Sequence, residues 1–175
     1  EREANTIHSE EILDHALRSA RESVVLLKND EKNGEKILPL QSIGSIALIG
    51  PLANNQLDML GSWHAAGDID KVITLEDGLR KSFPQSRIDY LKGCDFYDPD
   101  RGEFKQSLRL ARQADVVVLA IGENQAQSGE AASRSSISIP GIQEELALAL
   151  IETGTPVVVL IMAERPLVFP ELNEK

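Results

Sequence analysis

Between Glu123 and Arg134 the chain reads Glu-Asn-Gln-Ala-Gln-Ser-Gly-Glu-Ala-Ala-Ser-Arg, two carboxyl groups separated by polar and small residues, with an arginine just beyond. A side chain such as Glu130, set among glycine, alanine and serine, can swing over a bound molecule because little bulk restricts the backbone there. A carboxylic acid in such a place suits one kind of work. It donates a proton to a leaving oxygen, provided its surroundings keep the acid protonated as the site closes. Glu123 is the competing candidate: it stands nearer the preceding apolar segment and would be held more rigidly, whereas Glu130 would be mobile. The residues alone leave two readings open, a proton-transfer loop and a solvated surface loop.

Other chemistries find less support. A phosphate cradle needs several glycines after a strand, but Ile49-Gly50-Pro51-Leu52-Ala53 offers one glycine followed by a proline without an N–H. A phospho-acceptor receiver domain wants an aspartate at the carboxyl end of a core strand, and Asp115 stands at a strand's beginning. His8, His15 and His64 lack metal-ligand spacing, so no metal is expected. No Gly-x-Ser-x-Gly elbow occurs, and Ser128-Gly129-Glu130 has no histidine nearby in sequence. Cys94 is the single cysteine, which rules out an internal disulfide and reads as a packed thiol. No cofactor is expected.

The elements that must position these residues alternate. Apolar residues at helical spacing from Ser9 through Ala20 predict a first helix, capped by Ser9 and followed by turn residues from Asn29 to Gly34. Ser45 to Gly50 reads as a strand, Thr74 to Phe83 as a helix stopping before Pro84, and Arg87 to Leu91 as a weak strand. Glu103 to Gln113 is helical and leads into a buried strand from Asp115 to Ile121. After the polar segment Gly122 to Ser138, Pro140 marks a helix start, Gly154 ends that helix, and Pro156 to Met162 forms a further buried strand. Strands alternating with helices predict an α/β fold, a three-layer αβα sandwich around a doubly wound, mostly parallel, flavodoxin-like sheet. Ligands in such sheets bind beyond the carboxyl ends of the strands. The segment Gly122 to Pro140 lies there, and it is far longer than the roughly two to six residues usual for a strand-to-helix connection.

Composition narrows the partners. With 175 residues, of which 42% are apolar and only 4% aromatic, the chain holds one aliphatic core. Eighteen basic residues against 28 acidic give a net charge of −10, and no basic face is available for nucleic acid. The longest apolar run, Pro156 to Ala163, is strand-sized, so no membrane span is expected.

In this order along the chain, a set of landmarks resembles the second, sandwich domain of glycoside hydrolase family 3, the β-glucosidase and β-xylosidase family, and most of all its bacterial periplasmic β-glucosidases. They are Ala20-Arg21-Glu22-Ser23-Val24-Val25-Leu26-Leu27-Lys28-Asn29, Leu38-Pro39-Leu40, Ile46 to Pro51, Gly61-Ser62-Trp63, Gly129-Glu130-Ala131-Ala132-Ser133-Arg134 and Glu164-Arg165-Pro166-Leu167. The resemblance divides the chain into residues 1–40, the end of a preceding barrel domain with its connector, and residues 41–175, an incomplete sandwich domain.

The resemblance implies a retaining hydrolase, in which an aspartate of the barrel attacks the anomeric carbon and a glutamate of the second domain serves as acid/base, the two carboxyl groups about 5–5.5 Å apart. Glu130 falls on the acid/base position and Glu123 ranks second. Ser128 and Arg134 would position the loop or the glutamate, and Trp63 would stack on a sugar ring or pack in the core. The expected parent hydrolyses β-glucosides from the non-reducing end in the periplasm or outside the cell. Its carbohydrate substrate would be held largely by the missing N-terminal barrel, leaving this fragment silent alone. Ala163-Glu164 departs from the Asn-Gly common in the family. A fold cut short would leave an open apolar edge near Lys175, and with it some self-association into a homo-oligomer. The alternatives are a non-catalytic sugar-binding or interaction module, told apart by whether the gene product carries a barrel, and a nucleotide binder, told apart by saturable nucleotide or flavin binding.

Overall fold

The computed structural model describes residues 7, 9–31 and 34–175, so His8 and part of the expected turn between Asn29 and Gly34 lie outside the described residues. The chain forms two compact units, residues 1–39 and 40–175. In the first, helix α1 (Glu10–Ser23) begins where the Ser9 hydroxyl accepts the Ile12 N–H, as the sequence predicts. Its apolar stripe of Ile12, Leu13 and Leu17 remains about half exposed. After it, Asn29 clasps Leu38, donating to its carbonyl at 2.9 Å and accepting from its N–H at 3.2 Å.

The second unit carries four strands, β1 (Ser45–Ile49), β2 (Arg87–Leu91), β3 (Val116–Gly122) and β4 (Val157–Met162), all parallel in the order β2-β1-β3-β4. Side chains alternate between the two faces of a strand, so each all-apolar strand feeds two cores at once. Ala47, Ile49, Val117, Leu119 and Ile121 point to one face, beneath α4 (Phe104–Ala111) and α5 (Gln143–Ile151). Ile46, Leu48, Val116, Val118 and Ala120 point to the other, beneath α3 (Leu75–Ser82). The result is the three-layer αβα arrangement expected from the alternation of elements.

Local chemistry explains the boundaries. Thr74 and Asp77 exchange hydrogen bonds in a full capping box at the start of α3. Asp115 ties the amino ends of two strands by accepting from the Ser45 N–H at 2.7 Å and its hydroxyl at 3.0 Å, which places it at the end of the sheet opposite the candidate loop. Pro140 does not open a helix directly: α5 starts at Gln143, after a turn through Gly141 at φ +64°. Two short helices, α2 (Gln56–Met59) and α6 (Pro170–Glu174), complete the unit, and neither is long enough to show an apolar repeat. Edge strand β4 has all six apolar residues only half-buried. No helix among the described residues is long and apolar enough to cross a membrane.

Candidate functional site

The carboxyl ends of β1, β3 and β4 lie side by side, with Ile49 beside Leu119 and Gly122 beside Met162. From β1 the chain moves outward to β2, and from β3 it moves the other way to β4, so the loops leaving β1 and β3 diverge at this switch point. Two glycines permit the close crossing. A Cβ on Gly50 (φ +120°) would lie 2.0 Å from the Ala120 carbonyl oxygen, and one on Gly122 (φ +142°) would lie 1.8 Å from that of Met162.

One side chain fastens both ends of the long loop. Gln143 is fully buried; its Oε1 accepts the Gly122 N–H at 3.0 Å, and its Nε2 donates to the carbonyls of Gly122 at 2.8 Å and Pro140 at 2.9 Å. Within the loop, the Gln125 N–H donates to Asp58 at 2.9 Å, Arg165 donates to the Gln127 carbonyl, and Asn124 and Gln127 cap one another. The segment is therefore an ordered scaffold rather than a slack connection.

Glu123 is buried between two guanidinium groups. Arg134 donates to its Oε1, and the Arg165 Nε lies 3.2 Å from its Oε2. That second contact has the distance of an ion pair without hydrogen-bond alignment, so Oε2 and the Arg165 Nε are both buried without a hydrogen-bond partner among the described residues. A carboxylate taken out of water costs several kcal/mol unless it is compensated. Here two positive charges face it, and Arg134 also donates to the Ser138 carbonyl at 2.9 Å.

Glu130 contrasts with this. It is exposed, and its carboxylate forms no hydrogen bond or ion pair with the described residues. It follows Gly129, whose φ of +110° and tight approach to Ser62 exclude a larger residue: a Cβ there would come within 3.0 Å of the Ser62 side chain. Ser62 in turn is gripped by Glu164, which accepts its N–H at 2.7 Å and its hydroxyl at 2.6 Å. Those two bonds, joined by the Ser128 hydroxyl and the charge of Arg165, hold the Glu164 carboxyl below the usual carboxylate range against the opposing effect of burial.

Of the residues singled out by sequence, the structure gathers Glu123 with Arg134, and Ser128 with Glu164. Arg134 thus holds the loop and not the Glu130 carboxylate, and the Ser128 hydroxyl faces Glu164 and not Glu130. Trp63 is 69% exposed, which removes the core-packing alternative and leaves its ring available beside Ser62. A cleft of about 470 Å³ is lined by Phe96, Tyr97, Gln127, Ser133 and Arg134 among others, but by neither Glu130 nor Trp63. Both of these face outward. Asp58, Ser62, Gln143, Glu164 and Arg165 were not among the expected site residues. The signals for the last pair were its place among the family landmarks and a Glu-Arg dipeptide just past an apolar strand, where side chains reach a crevice by topology alone.

Residues 24–175 match the glycosyl hydrolase family 3 C-terminal domain. The chain is similar to the periplasmic beta-glucosidase of Salmonella typhimurium, with 40% identity over 169 residues covering 85% of this chain and 22% of that protein. It is also similar to a beta-xylosidase of Formosa agariphila, with 32% identity over 91% of this chain and 22% of the relative. Among solved structures, a mutant beta-glucosidase from Listeria innocua in complex with laminaribiose superimposes with a TM-score of 0.86 at 34% identity, over 96% of this chain and 22% of that one. The chain thus spans about a fifth of the length of these relatives.

Proposed function

The chain belongs to glycosyl hydrolase family 3 as its C-terminal domain, and on that premise we propose that it supplies the acid/base half of a retaining β-glucosidase of the periplasm or cell exterior. The substrate is a β-glucoside cleaved from its non-reducing end. The nucleophile comes from another part of the parent polypeptide, which fits a chain about a fifth the length of its relatives. The relatives include both β-glucosidases and β-xylosidases, and the periplasmic location rests on the Salmonella protein.

One observation carries the assignment. Of the two loop glutamates, Glu123 is committed to two arginines, while Glu130 is exposed and unpaired among the described residues, within a segment pinned at both ends. A general acid must reach the reacting oxygen, and only Glu130 is free to do so. As the parent's nucleophile attacks the anomeric carbon, Glu130 gives its proton to the departing glycosidic oxygen. It then takes a proton from the water that hydrolyses the glycosyl-enzyme, which restores both carboxyl groups. Trp63 offers its ring to the sugar or aglycone at the mouth.

The test compares Glu130→Gly and Glu123→Gln in the full-length parent on β-glucosides with poor leaving groups. Losing the general acid costs about 10²–10⁴-fold in rate, so Glu130→Gly should fall by that factor. A normal Glu130→Gly enzyme alongside a dead Glu123→Gln enzyme that still folds would transfer the role to Glu123.

A further inference from the structure

Glu164 does something that its place at the end of β4 does not by itself require. It reaches across to Ser62, a residue 102 positions earlier in the chain, and takes up both polar hydrogens that Ser62 has to offer. Gly61, just before, has φ +72°, and any side chain there would meet the Glu164 Oε1 at 2.8 Å. Close by, the Ser128 hydroxyl helps to hold the Glu164 carboxyl below the usual carboxylate range, and Gly129 packs directly on Ser62. Three segments therefore meet at one carboxylate: the turn that carries Trp63, the loop that carries Glu130, and the exit of β4. Trp63 follows Ser62 by one residue, and Glu130 follows Gly129 by one. The contact between Ser62 and Gly129 consequently sets the spacing between the aromatic ring and the acid.

We propose that Glu164 is a positioning residue, registering the Trp63 turn against the Glu130 loop through Ser62 and the Gly129 that packs on it. The proposal rests on the assignment of Glu130 as acid/base. An acid out of place by about an ångström loses a large part of its effect, but only where the leaving group needs its proton. A positioning role therefore shows itself in leaving-group dependence, which a loss of fold would not produce.

The experiment uses the full-length parent with Glu164→Ala, Ser62→Ala and the double variant, on two aryl β-glucosides differing only in leaving-group ability. Glu164→Ala should lose about 10-fold in kcat/KM on the poor leaving group and stay within about 2-fold on the good one. Ser62→Ala should reproduce that pattern even if Glu164→Ala folds badly, and the double variant should be no worse than the worse single one, since both remove the same contact. Glu164→Gln, whose amide oxygen can still accept one bond, should recover part of the loss. Equal losses on both substrates, additive losses in the double variant, or no loss would each overturn the role of Glu164. Glu130→Gly run in parallel separates the two ideas. If it is inactive on the poor leaving group while the Glu164 variants are normal, only the positioning role fails; if it is active there, the acid/base assignment fails and this inference with it.

Discussion

Arg134 donates to Glu123 across eleven positions of chain, and Glu130 lies on the arc between them. That ion pair closes the loop at its base as Gln143 closes it at its ends, so the free carboxylate sits on a tethered frame. An exposed carboxylate on a rigid base suits a group that must meet a substrate held elsewhere.

The first expected outcome concerns that base. Glu123→Ala leaves the largely covered guanidinium groups of Arg134 and Arg165 without their shared anion. Removing one partner of a buried ion pair costs about 3–5 kcal/mol. Calorimetric unfolding of the parent should show this domain melting earlier, with faster amide exchange in residues 123–138. Arg134→Ala should do less harm, because Arg165 still faces Glu123. Unchanged melting for Glu123→Ala would show the pair to be dispensable.

Gln143→Leu keeps the volume of a fully buried side chain but strands the Gly122 N–H and two carbonyl groups. Buried polar groups left without partners cost about 1–3 kcal/mol each, so a destabilisation of about 3 kcal/mol is expected by chemical denaturation. Activity should fall together with stability, since the loop loses both anchors. A variant as stable as wild type would mean that water replaces the amide.

Cys94 is buried, and burial pushes its thiol up to about 12. At pH 8 only about one molecule in ten thousand would carry the reactive thiolate there. Native protein should therefore resist an aromatic disulfide reagent, and label at Cys94 only once denaturant is added. Stoichiometric labelling of Cys94 within minutes in buffer would contradict its packing.

Glu164 predicts a pH dependence whose sign follows from its depressed pKa. A carboxyl with a folded-state pKa below its unfolded value near 4.5 adds stability above that value and loses it as pH falls through the lower folded value. The stability difference between the parent and Glu164→Gln should hold constant from neutral pH down to about 5 and narrow only in stronger acid. A difference that grows on acidification would give the contact the opposite sign.

Much of this architecture was legible in the residues themselves. The strands beginning at Ser45 and Val116 are short aliphatic runs, as burial on both faces of a parallel sheet demands, whereas the run from Val157, expected to be buried, forms a half-buried edge strand. The long loop and its two glutamates were visible as polar sequence where topology puts ligands. The residues alone, without the family resemblance, did not show how differently the two carboxyl groups are surrounded. Their difference depends on Arg134, four residues past Glu130, folding back to Glu123, and on Arg165 arriving from another strand. The grip of Glu164 on Ser62 was hidden for the same reason, since it joins residues 102 apart. Contacts of that separation leave no periodic trace in a single sequence.

If Glu130 is the acid/base of a retaining enzyme, the full-length Glu130→Gly variant given azide and an activated aryl β-glucoside will show it. Removing the general base leaves the glycosyl-enzyme to be taken by the small anion in place of activated water. Azide should restore turnover, and the product should be the β-glucosyl azide, with the anomeric configuration retained. No acceleration by azide in a folded Glu130→Gly enzyme, or a product of inverted configuration, would contradict it.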